Sequence, residues 1–349
     1  MSAGVALLGS GQVARALAAR IDLLATRGRG PDLRLLQVVN SRASAEGRPG
    51  GWLAQVDAVA AAPRHASADA APDLVSGADV VIDLTASDAV ADRHADWLAE
   101  GRIVVTANKR GLGEGHERAS RILDRLWSPN AYGDAATVGA GLGAVRRLRA
   151  FAGCGEEVGE VRGVLSGSLA WLFDHYDGGV PFPALVRRAH GLGYTEPDPR
   201  EDVGGTDVVR KLRILARAVG WSVPDGAVRV DPRLAVPEGN DPWAALATLD
   251  GGFRALLAGR PAADARLAVV ARARPGDYAV AIEWLAAADP LAQRRGCENA
   301  IEIRSERYGE HALVLRGPGA GPELTAAAVL EDLALALGER EGEGARVAA

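Results

Sequence analysis

The chain has 349 residues, 48% hydrophobic and 24% charged, with a formal net charge of −5 at pH 7. That length builds one large domain or two ordinary ones, and the acidic balance argues against a nucleic-acid binder, which needs a basic face. Two cysteines, Cys154 and Cys297, make neither a disulfide framework nor a zinc cluster. No apolar run reaches membrane-spanning length, and the start MSAGVALLGSG lacks a basic signal-peptide region, so a cytoplasmic protein is expected.

Residues 5–8 (VALL) predict a short buried strand, and residues 14–24 carry helical periodicity. Gly9-Ser10-Gly11-Gln12-Val13-Ala14 joins them. Strand, G-x-G-x-x-A, helix is the dinucleotide fingerprint in its proper context. The first glycine permits the tight turn, the second lets backbone amides approach a pyrophosphate, and Ala14 allows close helix–strand packing. The helix N-terminus then attracts the phosphates. Alone, such a turn is an ordinary βα connection; the order of elements favours a cofactor on Gly9, Gly11, Gln12 and Val13.

Further strands are predicted at 33–39 (LRLLQVV), 80–84 (VVIDL) and 103–106 (IVVT), separated by helical stretches such as 88–100. Apolar strands alternating with helices predict a parallel sheet covered on both faces, with ligands beyond the strands' carboxyl ends. Three polar clusters lie there: Asn40-Ser41-Arg42, Thr85-Ala86-Ser87 and Thr106-Ala107-Asn108-Lys109. The second strand ends without the acid typical of NAD sites. Arg42 suits a ribose 2′-phosphate, which favours NADPH with NADH as the alternative; its bland reading is one more surface arginine.

Around residue 134 the alternation loosens, and Gly139-Ala140-Gly141 reads as a flexible crossing. Strands at 267–271, 280–284, 300–304 and 312–315 predict a mixed or antiparallel sheet in a second domain. A helix at 325–337 follows a glycine-rich turn, and residues 338–349 read as a frayed tail.

Only two of the 40 Lys+Arg residues are lysines, Lys109 and Lys211. Codon bias accounts for the arginines but not for the exceptions. Arginine cannot hand over a proton; lysine can, once its surroundings adjust its pKa. From residue 207 the pattern is helical: Val208, Leu212, Leu215 and Val219 form a buried stripe, with Asp207, Lys211 and Ile214 one step around. Asp207 lies in the first turn, where the helix dipole favours an acid. An exposed i,i+4 Asp–Lys pair stabilises a helix by only ~0.3–0.5 kcal/mol. The border with the core, the rarity of lysine and the preceding loop 193–202 (GYTEPDPRED), stiffened by two prolines, point instead to a cradle for a small molecule carrying an ammonium group. Asp198 and Glu201 read equally as solvated turn residues.

At these residues the chain resembles homoserine dehydrogenase. GYTEPDPREDVGGTDVVRKLRIL (193–215) resembles that family's signature segment, and VVTANK (104–109) its strand end with an active-site lysine. GVLSGSLAWLF (163–173) resembles the substrate-side strand and helix, ATVGAGL (136–142) the hinge and cation segment, and GPGAGPELTAAAVL (317–330) the closing helix. The five motifs occur in order over nearly the whole chain. The resemblance implies an α/β fold: a Rossmann-type nucleotide-binding domain, 1–133 with 318–349, and an α+β catalytic and dimerisation domain, 134–317, the last helix returning to the N-terminal domain. It also implies a short, stand-alone form without kinase or regulatory domain. The activity implied is reduction of L-aspartate 4-semialdehyde to L-homoserine with NADPH or NADH, on the route to threonine, methionine and isoleucine, by a homodimer.

In the same terms, Lys211 is the proton donor and Asp207 holds the substrate or orients the lysine. Lys109 contacts the reacting end, Glu196 binds the substrate ammonium, Asp202 is a supporting acid, and Ser168 stands where some relatives carry threonine. Asn40, Arg42, Thr85, Ala86, Lys109, Gly193 and Gly321 complete the cofactor-side set. Two departures stand out. Gly143 replaces a proline, loosening the hinge. Ala135 replaces an acidic cation ligand, so a monovalent cation on the carbonyls of Val138, Ala140 and Leu142 is either lost or rebuilt around Asp134. Two other readings compete: a nucleotide-binding paralogue that senses a metabolite without turnover, supported by Gly143 and Ala135, and a thioester-forming aldehyde dehydrogenase, against which neither cysteine sits at a nucleophile turn.

Overall fold

Runs of valine, leucine and isoleucine form strands in the computed structural model, which describes residues 2–47, 51–63 and 75–347. The chain divides into two units, residues 1–143 with 320–349, and residues 144–319.

In the first unit, β1 (Ala3–Leu8), α1 (Gln12–Thr26), β2 (Leu33–Val39), β3 (Ser44–Glu46), α2 (Trp52–Ala61), β4 (Val80–Asp83), α3 (Asp88–Asp92), α4 (His94–Ala99), β5 (Ile103–Thr106), α5 (Arg110–Gly113), α6 (His116–Leu123) and β6 (Tyr132–Gly133) follow one another. The strand order is β3-β2-β1-β4-β5-β6, parallel throughout except for β3, which runs antiparallel to β2. Every residue of β4 and β5 is buried, as a strand covered on both faces requires. Their carboxyl ends therefore emerge together, at Asp83 and Thr106, which are paired in register.

Two predicted helix boundaries are corrected. The stretch 88–100 is two helices, because the chain turns at Arg93 and carries His94 into buried hydrogen bonds with Asp83 and Tyr132. The second correction is at the carboxyl end, described below.

The second unit holds α7 (Ala144–Gly153), β7 (Val158–Val164), α8 (Gly167–His175), α9 (Phe182–Gly191), α10 (Pro199–Val203), α11 (Thr206–Ala218), β8 (Val228–Val230), α12 (Pro242–Ala247), α13 (Asp250–Ala258), β9 (Arg266–Arg274), β10 (Asp277–Leu285), β11 (Glu298–Ser305) and β12 (Leu313–Pro318). Its sheet runs β12-β11-β7-β9-β10-β8. It is mixed, as expected: antiparallel except for the β10–β8 pair. The central strand β7 pairs with both β11 and β9. It delivers Leu165, Ser166 and Ser168 to the start of α8.

The last helix, α14 (Pro322–Val347), belongs to the first unit. Ala326, Ala328, Val329, Leu330, Leu333 and Ala336 join the core built by β1, β2, α1 and α2. The helix does not fray at 338 as expected. Glu339 accepts hydrogen bonds from Ser128 and Asn130, and the residues beyond include strong helix formers and no proline; Ala348 and Ala349 lie outside the described residues.

Candidate active site

In the first unit, β1 turns into α1 through Gly9 and Gly11. Gly9 has φ +107°, and a Cβ there would lie 2.9 Å from the Leu84 carbonyl oxygen, so glycine is required twice over. Gly11 differs: its φ is −78°, and a Cβ would meet nothing within 4 Å. No neighbouring protein atom demands glycine at 11. No side chain caps α1 and no acid stands in its first turn, so the N–H groups around Gln12 and Val13 are left for an outside acceptor. That cradle fits a pyrophosphate.

The turn after β2 is shaped by Asn40. Its amide donates to Ser10 Oγ at 2.8 Å and to the Val59 carbonyl at 3.1 Å, while its Oδ1 accepts from the N–H groups of Arg42 (2.7 Å) and Ala43 (2.8 Å). The Asn40 side chain thus braces the phosphate turn, and Arg42 is exposed beside it. Thr85 is likewise engaged: its N–H and hydroxyl both donate to Asp83 Oδ1, and its Oγ1 accepts from Ser87 N–H. Ala86 between them is exposed. Gly321, with φ +128°, precedes α14.

Lys109 is half-buried and opens α5 from the end of β5. Asn108 before it donates to Asp83 Oδ2 and the Ser87 carbonyl, both at 2.9 Å, and accepts from Arg110 N–H at 3.0 Å. The segment holding the implied cation ligands is buried at Val138 and Ala140 and turns through left-handed residues at Gly139, Ala140 and Gly143. Gly143 has φ +64°, a conformation that the ring of a proline excludes. Ala135 donates its N–H to Asp332 at 2.8 Å, and Asp134 is buried.

In the second unit, α11 presents the row expected from its periodicity. Val208, Leu212, Ile214 and Leu215 are buried; Val219 lies just past its end. The Lys211 ammonium, with its side chain only 12% exposed, lies 2.7 Å from Asp207 Oδ2. It also donates to the Leu165 carbonyl at 2.8 Å. This is not the loose exposed pair worth a few tenths of a kcal/mol. Hydrogen bonds to a charged group at a half-dry site contribute ~1.5–3 kcal/mol each.

Asp202 is the hub beside it. Its Oδ1 accepts from Ser168 Oγ at 2.8 Å and its Oδ2 from Glu196 N–H at 2.8 Å. Burial pushes its carboxyl above the usual carboxylate range and Asp207 adds to the rise, against those hydrogen bonds and the field of Lys211. Ser166, which sequence reasoning passed over, caps α8 through Leu169 N–H and lies 2.9 Å from Ser168 Oγ. Asn299 was also missed; it donates to the Leu165 carbonyl that Lys211 uses. The Glu196 side chain is exposed, while its backbone is fastened to Asp202. Gly193 has φ +75° and ends α9, as a left-handed C-terminal glycine does. Asp198 caps α10 and pairs with Arg200, so its role is structural.

Comparison with known proteins finds two matches along the chain. A family profile described as the NAD binding domain of homoserine dehydrogenase matches residues 9–125, and the homoserine dehydrogenase profile matches residues 145–334. The chain is 36% identical to bifunctional aspartokinase/homoserine dehydrogenase 2 of Escherichia coli (strain K12), over 73% of this chain but 32% of that protein. It therefore spans about a third of that larger relative. It is 31% identical to homoserine dehydrogenase of Emericella nidulans, covering 74% of this chain and 75% of that one. Among solved structures, a hyperthermophilic archaeal homoserine dehydrogenase in complex with NADPH shares the fold. Its TM-score is 0.74 at 22% identity, covering 97% of this chain and 98% of that one. No helix among the described residues is long and apolar enough to cross a membrane. With a profile matching more than half its length and a relative of similar size covered over three quarters, the chain belongs to the homoserine dehydrogenase family.

Proposed function

We propose that the chain reduces L-aspartate 4-semialdehyde to L-homoserine with NADPH, with NADH as the alternative. The observation that carries this reading is the Lys211 ammonium, half-dry and held by Asp207 and the Leu165 carbonyl beside the raised acid Asp202. Bound NADPH supplies the hydride. As negative charge grows on the aldehyde oxygen, Lys211 stabilises it and delivers the proton. Asp207 keeps that lysine aimed, and Lys109 gives a second ammonium to the reacting end. Glu196 takes the substrate ammonium, while Asp202, gripping Ser168 and the Glu196 backbone, sets the loop that carries it.

On the cofactor side, Gly9, Gly11, Gln12 and Val13 receive the pyrophosphate. Arg42 takes the 2′-phosphate in the absence of a competing acid, and Thr85, Ala86, Gly193 and Gly321 line the remainder. The first unit, residues 1–143 with 320–349, is the cofactor domain and the second, 144–319, the catalytic and dimerisation domain, near the expected division of 1–133 with 318–349 and 134–317. Ala135 gives a cation on the carbonyls of Val138, Ala140 and Leu142 no carboxylate. By family resemblance the chain acts as a cytoplasmic homodimer, which a solution mass measurement checks.

The test is NADPH oxidation on addition of aspartate semialdehyde. Turnover that Lys211→Arg abolishes supports the reading. Cofactor binding without turnover in the unaltered chain would overturn it in favour of a metabolite sensor.

A further inference from the structure

Beneath the Lys109 turn lies a file of buried polar groups that the proposed reaction does not use. Asp83 and His94 have 0% exposed side chains and stand 3.0 Å apart, Oδ2 to Nε2. On the other side of the ring, His94 Nδ1 is 3.0 Å from the hydroxyl of Tyr132, itself buried on β6. An ionised carboxylate in such a place is tolerable only if fully hydrogen-bonded, and Asp83 is: Thr85 N–H, Thr85 Oγ1, His94 Nε2 and Asn108 Nδ2 all point at it. A His94 tautomer that donates through Nε2 to Asp83 accepts the Tyr132 hydroxyl proton at Nδ1.

Both ends of this file touch the backbone around Lys109. At one end, Asp83 accepts from the Asn108 amide nitrogen, and the amide oxygen receives Arg110 N–H. At the other, the Tyr132 hydroxyl presses on Gly111 so closely that a Cβ there would lie 2.2 Å from it, with His94 Nδ1 next at 3.2 Å. Residues 108 and 111 are thus fixed from below, and Lys109 lies between them.

We propose that Asp83, His94 and Tyr132 are positioning residues for Lys109: they set the turn from Asn108 to Gly111 and, through it, where the Lys109 ammonium stands. The inference rests on the reading that Lys109 serves the reaction, but its geometry is testable without turnover. The chain has only two lysines, so reductive methylation with isotope-labelled formaldehyde gives two lysine methyl signals in an NMR spectrum. Lys→Arg variants assign them.

Tyr132→Phe is expected to move the Lys109 signal, leaving the Lys211 signal in place. Gly111→Ala, which drives a methyl group into the Tyr132 hydroxyl, is expected to move it further. The double variant removes that hydroxyl and is expected to return the signal to the Tyr132→Phe position. In the enzyme assay, Tyr132→Phe is expected to lower kcat roughly tenfold with the aldehyde KM nearly unchanged, and Gly111→Ala to lower it on the order of 100-fold, with partial rescue in the double variant. His94→Gln, which keeps a donor toward Asp83, is expected to behave like Tyr132→Phe. An unmoved Lys109 signal in Tyr132→Phe, or a double variant no nearer to Tyr132→Phe than Gly111→Ala is, overturns the proposal. An unaltered chain without turnover sinks the functional reading instead, and the NMR result still decides the positioning one.

Discussion

Lys211 and Lys109 are fixed by opposite means. Lys211 rides a 13-residue helix, and its charge itself is gripped, by Asp207 and a carbonyl. Lys109 stands on a short turn, where the file from Asp83 to Tyr132 grips the backbone on either side of it. The first arrangement holds the charged group directly; the second controls where a charge stands. Loss of a partner should therefore change proton transfer at Lys211 and geometry at Lys109.

The largest expected effects come from breaking the lysines themselves. Lys211→Arg and Lys109→Arg are each expected to lower kcat at least roughly 100-fold, the lower range for losing a positioned acid–base group. Near-normal kcat in Lys211→Arg would remove it as proton donor. Asp207→Ala comes next: it leaves a half-dry ammonium with one partner fewer, and a kcat loss of several tens of fold is expected from ~2 kcal/mol. A change in the aldehyde KM alone would assign Asp207 to the substrate. Arg42→Ala is expected to weaken NADPH binding about tenfold with NADH unaffected, consistent with one exposed charge-assisted contact. Titrations with both cofactors check it, and equal losses would refute the phosphate role.

The smallest expected effect is on stability. Asp202 has a raised carboxyl in the folded chain, so the folded state binds its proton more tightly than the unfolded state does. Stability from this group is highest in acid and falls as pH rises from the ordinary aspartate range through the raised value. Asp202→Asn should flatten the fall in Tm across that window. An unchanged slope would mean that burial at Asp202 is not felt in the folded state.

Much of this was legible along the chain, because period and punctuation are local. Of the four strands expected in the first unit, three lie within β1, β2 and β5 and the fourth, 80–84, runs one residue past β4; the α11 row from Val208 to Leu215 is buried as its spacing requires. What escaped was contact between distant residues. Asp83 looked like the polar end of an apolar strand, yet its partner His94 is 11 residues on, and Tyr132 a further 38. No periodicity links them. The one available signal was an acid closing a fully apolar run, since a carboxylate there must find donors. Ser166 was hidden in the same way, a small residue whose role appears only once Ser168 and Asp202 are beside it. The 88–100 stretch was misjudged because a helix pattern does not reveal that one residue, His94, is needed elsewhere.

One consequence of the Lys211 site concerns the order of events. An ammonium carries three hydrogens, and two are already committed, one to Asp207 and one to the Leu165 carbonyl. Tetrahedral geometry then leaves a single direction for the third, the hydrogen to be given away in the proposed reaction. After transfer, the nitrogen lone pair points along that same line at the new hydroxyl. The amine is recharged only once the alcohol has moved aside, so each turnover must clear its product before the next proton can be loaded.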